Sequence, residues 1–160
     1  MMRYFVVIMV CIFATNCNNK MLAVTKLNRN ITEVTKLAIA NAIVNKDVEE
    51  YDQLIKNNSN IIIYDTLISY LTLPKIKGIK YDIMSITQMQ QKAGKDSDFV
   101  YLYIHDLYED IGNVIVIGIG TAWITPQGSK RVYLSGGYRK YKYTRANGKW
   151  KSELIARFVS

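Results

Sequence analysis

The chain has very few of the residues that build the commonest metal and nucleophile sites. Among its 160 residues there are one histidine and two cysteines, which excludes a zinc site made of cysteine and histidine ligands. Two prolines and nine glycines exclude collagen-like and low-complexity classes. Hydrophobic residues make up 49% of the chain, enough to offset the entropy lost on folding. We therefore expect one globular domain with a short appendage.

The first residues have the pattern of an export signal. An unbroken apolar run, Tyr4 to Phe13, follows the positive charge of Arg3. Ten residues are too few to cross a bilayer, which takes about 20, and suit the apolar core of a secretory signal. Cys17 comes just after this run, and its position resembles that of the lipidated cysteine in bacterial lipoprotein signals.

This resemblance predicts how the chain is organised and where the protein resides. We expect residues 1–16 to be a signal peptide, 17–29 a tether and 30–160 a single domain. Lipid on Cys17 would anchor the domain in the bacterial cell envelope, facing the periplasm or the surface. Simple secretion, with cleavage nearby, is the alternative.

The net charge of +8 comes from the end of the chain. From Lys130 onward there are nine basic residues and one acidic residue, Glu153, so this part carries 9 − 1 = +8. The rest has 12 basic and 12 acidic residues and is neutral. We expect the charges to lie on the solvated face of a hairpin. Anionic lipid or an acidic ligand would be alternative partners, whereas a nucleic acid is not expected for an exported protein.

Helix and strand signals divide the domain into two parts. Capping-box spacing predicts three helices, which begin at Asn30, Asp47 and Ser85. Apolar, β-branched and aromatic runs predict strands at 61–64, 66–73, 79–83, 99–108, 114–124, 132–144 and 150–159. The last four strands are separated by short turns and predict an antiparallel meander, which makes the fold class α+β.

Alternation in the last strand predicts which of its side chains are buried. Trp150, Leu154, Ala156 and Phe158 share one parity, and Lys149 is among the charged residues of the other. Because successive side chains of a strand point to opposite faces, we expect the apolar set in the core and the charges in water.

Two neighbouring residues, His105 and Asp106, are candidates for acid–base chemistry. On a regular strand they would point to opposite faces, unless a bulge intervenes. If Asp106 lay on the buried face, desolvation would raise its pKa and make it the better base. The aspartates and glutamates lack calcium-loop spacing, so we expect neither a metal nor a cofactor.

The C-terminal half resembles the nuclear transport factor 2-like superfamily, including its SnoaL-like members. The resemblance rests on three segments, the strand 112–117, the Ser-Gly-Gly-Tyr-Arg-Lys-Tyr run 135–141 and the Asn-Gly-Lys-Trp-Lys turn 147–151. It implies a cystatin-like cone, a curved antiparallel sheet wrapped around about three N-terminal helices, with a pocket at its open end. Aromatic residues that would line this pocket are Tyr64, Tyr103, Trp123 and Tyr138.

Members of this superfamily include enzymes and binding domains, so the resemblance leaves the activity open. We expect a pocket that binds a small apolar or amphipathic ligand without an assigned reaction. One alternative is an isomerase or hydratase that uses a pocket carboxylate, with Asp65, His105 and Asp106 as catalytic candidates. Another is an interaction module that forms a homodimer through its open sheet face.

Overall fold

The computed structural model describes residues 29–56, 60–64, 72–110, 113–133 and 136–159. Some of the predictions fall outside these residues. They concern the signal peptide, Cys17, nearly all of the tether, Asp65 and most of the predicted strand 66–73. The elements are α1 (29–44), α2 (Tyr51–Ile55), β1 (Asn60–Tyr64), β2 (Lys80–Met84), α3 (Ile86–Asp96), β3 (Phe99–Asp110), β4 (Val114–Ile124), β5 (Gly137–Ala146) and β6 (Lys149–Val159).

Within the described ranges, six strands form one mixed sheet in the order β2-β1-β3-β4-β5-β6. The meander predicted for the last four strands is confirmed, because β3 to β6 pair antiparallel in sequence order. The expectation of an antiparallel sheet is wrong at β1, which pairs parallel with both β2 and β3. Parallel strands need a long crossover connection, and between β2 and β3 that connection is the helix α3.

The helices lie on both faces of the sheet, so the expected cone around three N-terminal helices is wrong. Residues of α1 and α2, such as Ile39 and Leu54, share one buried cluster with Leu102 of β3 and Ile117 of β4. Met89 of α3 packs on the opposite face with residues of β1, β3 and β4. We call these two surfaces the helix-pair face and the α3 face.

The predicted helix start is confirmed for α3 and is wrong for α2. Ser85 forms the predicted capping box, because its side chain accepts from the Gln88 amide and the Gln88 side chain accepts from the Ser85 amide. The second helix does not begin at Asp47 as expected. Glu50 has a left-handed backbone, φ 52°, and only the following residues are helical.

Two β-bulges change which side chains share a face. In β3 the pairing shifts between Ile104 and Leu107, so His105 and Asp106 together oppose Gly118 of β4. In β6 the pairing shifts between Leu154 and Ala156, which leaves an extra residue between them. The predicted parity of β6 is therefore wrong beyond this bulge, as Phe158 lies on the α3 face.

Candidate functional site

A row of six aromatic rings crosses the sheet on the α3 face. Along β3, the ring centroids of Tyr101 and Tyr103 are 6.1 Å apart, and those of Tyr103 and His105 are 6.5 Å apart. Tyr138 of β5 stacks on His105 at 5.1 Å and on Phe158 of β6 at 4.6 Å. This aromatic row (Tyr64, Tyr101, Tyr103, His105, Tyr138 and Phe158) thus extends from β1 to β6.

Glycines in β4 leave the space that the row needs. Tyr138 pairs with Gly120, and a Cβ atom at position 120 would lie only 2.5 Å from the Cβ of Tyr138 and still closer to the carbonyl oxygen of Gly137. A Cβ at Gly118 would lie 3.5 Å from the Tyr138 ring. Since β4 carries no side chain here, the Tyr138 ring can lie across it and reach His105 on β3.

An open groove of about 480 Å³, the aromatic groove, lies where β4 ends and β5 begins. The sheet and the β4–β5 connection both contribute to its lining. The lining residues are Tyr103, Thr121, Ala122, Trp123, Thr125, Arg131, Val132, Tyr133, Gly136, Gly137, Tyr138, Phe158 and Val159. Among these described residues there is neither a carboxylate nor a histidine.

A latch holds the outer wall of the groove against the sheet. Arg131 and Tyr133 both donate to Oδ2 of Asp98, at 2.9 and 2.6 Å, and the Asp98 side chain is only 5% exposed. The Tyr133 ring stacks on Trp123 with centroids 4.3 Å apart. The Tyr133 hydroxyl and then the Arg131 guanidinium hold the pKa of Asp98 below its usual range, so the latch is ionised at neutral pH.

The predicted pocket residues lie in two places. Tyr103, Trp123 and Tyr138 are in the lining of the groove, whereas Tyr64 contacts Tyr101 at the far end of the aromatic row. Burial raises the pKa of Tyr101 and Tyr103, so both hydroxyls stay protonated at neutral pH.

The predicted catalytic candidates do not form a buried acid–base pair. The bulge brings His105 and Asp106 together, with Nδ1 of His105 3.2 Å from Oδ1 of Asp106, but more than half of the His105 side chain is exposed. Lys140 reaches the other carboxylate oxygen at 3.0 Å. Its ammonium group, with His105, keeps the pKa of Asp106 low, opposite to the rise that a buried base would need. The third candidate, Asp65, lies outside the described residues.

Ten of the thirteen lining residues were not predicted, and three of them, Arg131, Tyr133 and Phe158, form the latch or stack on another ring. Tyr133 lies in the segment 132–144 that was predicted to be strand, and Arg131 directly precedes it, yet residues 131–133 are not strand in the structure. Phe158 was assigned to the core because of its parity, which the bulge in β6 reverses. The aromatic character of Tyr133 and Phe158 was the one available signal, and it does not distinguish a groove from a core.

Much of the basic C-terminal charge is paired with acidic residues from earlier in the chain. Arg139 contacts both Asp47 and Glu49, in the connection between α1 and α2, and Arg157 donates to Glu49 at 2.8 Å. Tyr141 donates to Asp47 from the same strand as Arg139. These pairs fasten the connection between the helices to β5 and β6, so several of the basic residues are structural.

Comparison with protein-family models, curated proteins and solved structures finds no match for the chain. The resemblance to the nuclear transport factor 2-like superfamily therefore stays a prediction. Within the described ranges, no three histidine, cysteine, aspartate or glutamate residues are grouped so that they could hold a metal ion. No helix in that part of the chain is both long and apolar enough to span a membrane.

Proposed function

We propose that the domain binds a small amphipathic molecule with a flat apolar face in the aromatic groove. The observation that carries the proposal is the lining itself, with rings from β3, β4, β5, β6 and the β4–β5 connection around one space. Its volume of about 480 Å³ is within the range of small-molecule sites, which are mostly apolar with a few polar groups. Arg131, at the rim, would meet a polar or anionic end of the ligand.

Binding without catalysis is favoured over an isomerase or hydratase. An acid–base enzyme needs a titratable group within reach of the reacting atoms, with a pKa near the working pH. The described lining offers none, and Asp106 is ionised and held by Lys140. The groove can supply stacking surface and orientation. We also propose that lipid on Cys17 holds the domain at the bacterial envelope, where the groove would meet exported ligands.

The two tryptophans of the chain allow a sharp test of the groove. Both tryptophans pack against the buried cluster of the helix-pair face, but only Trp123 also lines the groove. The probe is anilinonaphthalene sulfonate, which has flat rings and one negative charge. We expect it to quench the fluorescence of the Trp150→Phe variant, in which Trp123 is the reporter, much more than that of the Trp123→Phe variant.

Tyr138→Ala should weaken probe binding by about 2–10-fold, the contribution of one stacked ring. Tyr108→Ala is the matched control, because Tyr108 is an exposed tyrosine of β3 outside the groove and should bind the probe as the unchanged protein does. Equal quenching of the two tryptophans, or equal loss in the two tyrosine variants, would contradict the proposal.

A further inference from the structure

The strand β6 is a long, open edge of the sheet. It pairs with β5 on one side and has no strand on the other among the described residues. Nine of its eleven residues are exposed, including Leu154, which is 50% exposed. The opposite edge, β2, is only five residues long. A long unpaired edge exposes a row of backbone donors and acceptors that can pair with another strand.

The turn between β5 and β6 determines which backbone groups point outward. Ala146 and Lys149 flank the two-residue turn Asn147-Gly148, so they form the closing hydrogen-bonded pair. Because hydrogen-bonded and non-hydrogen-bonded pairs alternate along an antiparallel ladder, the next residue of β6 directs its N–H and C=O away from β5. Up to the bulge, the outward-directed residues are Trp150, Ser152 and Leu154.

Two copies of β6 are complementary to each other in one register. When two copies of β6 run antiparallel about a two-fold axis through Ser152, Lys151 of each copy lies opposite Glu153 of the other. Trp150 then lies opposite Leu154, and covers its exposed side chain. Each contact occurs twice because the interface is isologous. Opposite charges and apolar pairs at facing positions are the interactions that stabilise neighbouring strands.

The neighbouring registers place like charges together. An axis through Lys151 puts this residue opposite itself, and an axis through Glu153 does the same for two carboxylates. An axis through Leu154 puts Lys151 opposite Arg157 and crosses the bulge. The charge pattern therefore selects the Ser152 axis within the regular part of the strand.

We propose that a second copy of this chain pairs with β6 along this register and forms a two-fold symmetric dimer with a continuous sheet. The proposal does not depend on the ligand-binding function, since the regular part of β6 lies outside the groove lining. The lysines of β6 then select the partner strand instead of preventing edge pairing.

A disulfide cross-link tests the register directly. In the full chain carrying Cys11→Ser and Cys17→Ser, we expect Ser152→Cys to give a disulfide-linked dimer on mild oxidation. Facing residues of a hydrogen-bonded pair have Cα atoms about 5.5 Å apart, within disulfide reach. Lys149→Cys is the control, because in this register the two copies of residue 149 are about 20 Å apart along the strands. Equal cross-linking of both variants would overturn the proposal.

Exchange of charges tests the same interface without oxidation. Lys151→Glu and Glu153→Lys each place two pairs of like charges across the axis, and each should raise the dimer dissociation constant by about tenfold or more. The double variant should restore it to within about threefold. Lys77→Glu makes the same change of net charge as Lys151→Glu, at an exposed lysine before β2, and should have no effect. A protein that stays monomeric at about 100 μM, or single variants that dimerise like the unchanged chain, would overturn the proposal.

Discussion

Gly120 lies where β5 approaches β4 so closely that no side chain fits between them. A Cβ atom there would collide with the backbone of Gly137 as well as with Tyr138. Backbone atoms cannot turn aside as the end of a flexible side chain can. The stack of Tyr138 on His105 and Phe158 therefore depends on a residue without a side chain in the neighbouring strand.

We expect Gly120→Ala to destabilise the protein by about 1–3 kcal/mol, because β5 must shift and the aromatic row must rearrange. The control is Gly94→Ala in α3, where the nearest atom to a new Cβ, Pro126 Cβ, is 4.0 Å away. That change should be neutral or stabilising by up to about 1 kcal/mol, since alanine favours helix. Urea denaturation of both variants measures the difference, and equal losses would refute the steric argument.

The stability that the latch contributes depends on pH because Asp98 can be protonated. Its pKa is lowered by the hydrogen bonds from Tyr133 and Arg131, so the folded state favours the carboxylate. A group whose pKa is lower in the folded state stabilises that state at pH values above the pKa of the group in the unfolded chain, which is about 3.9 for aspartate. This stabilisation is lost as the pH falls through the folded-state value.

We therefore expect Asp98→Asn to lower the melting temperature at pH 7, and the difference from the unchanged protein to shrink as the pH falls below about 4. Thermal melts from pH 7 to pH 2.5 measure this. Asp52→Asn, at an exposed carboxylate on α2, is the control and should show little difference. A difference that grows in acid would mean that Asp98 is not held ionised by the latch.

At the scale of elements, the bulge in β6 divides one strand between two environments. Before it, Trp150 lies on the helix-pair face, where its indole donates to Glu33 at 3.1 Å and Arg145 lies 5.5 Å over its ring. Beyond it, Phe158 lies on the α3 face and is 50% exposed. The strand thus contributes to the core at one end and to the groove at the other.

Because of this division, alanine at the two aromatic positions of β6 should have unequal effects. Trp150→Ala should cost about 3 kcal/mol, as a core position with a lost hydrogen bond. Phe158→Ala should cost only about 1 kcal/mol, because half of the side chain is already in water. The same two variants in the probe-binding assay should reverse their order, with Phe158→Ala weakening binding and Trp150→Ala leaving it unchanged. Equal stability losses would mean that β6 keeps one parity throughout.

At the scale of the whole molecule, ion pairs connect the first part of the domain to its C-terminal part. The neutral first part supplies Asp47, Glu49, Asp98 and Asp106 as partners for four of the nine basic residues near the C-terminus. Of these four, Arg139 and Lys140 do not lie on a solvated face as expected, since their side chains are 16% and 25% exposed, whereas Arg131 and Arg157 are more than half exposed. Lys149 is exposed, and among the described residues it has no ion-pair partner.

Arg139→Gln should therefore cost about 1–3 kcal/mol, since it leaves Asp47 without a cation and Glu49 with Arg157 alone, in a site where the arginine is 16% exposed. The matched change Lys149→Gln removes the same charge from the same hairpin and should cost no more than about 0.5 kcal/mol. Chemical denaturation at low salt measures both. Similar small losses would show that the cluster adds nothing to stability.

The proposed lipid anchor would make the location of the molecule depend on Cys17. We expect the unchanged protein to be found in the membrane fraction with the added mass of acyl chains. Cys17→Ser should move it to the soluble fraction, because the acyl chains supply the membrane affinity. Cys11→Ser, within the predicted signal peptide, is the control and should leave the partition unchanged. Equal membrane partition of all three, without added mass on the unchanged chain, would exclude lipidation.

Periodicity and turn chemistry in the sequence predicted the meander and most of the elements, although the start of α2 and the first residues of the predicted strand 132–144 were wrong. Asn147-Gly148 specifies a two-residue hairpin, and Ser85 with Gln88 specifies the start of α3, because each depends on neighbours within four residues. These are local effects, and local sequence determines them.

Only the tertiary structure decided the direction of β1, the division of helices between two faces and the positions of both bulges. Each depends on pairing between residues far apart in the chain, which no local pattern reports. A bulge of one residue reverses the face to which every later side chain of its strand points. The bulge in β6 therefore places Phe158 at the groove instead of in the core, and the bulge in β3 brings His105 beside Asp106. For the same reason the pKa of Asp106 is lowered by Lys140, which reaches it from β5, and no feature near position 106 in the sequence could have predicted it.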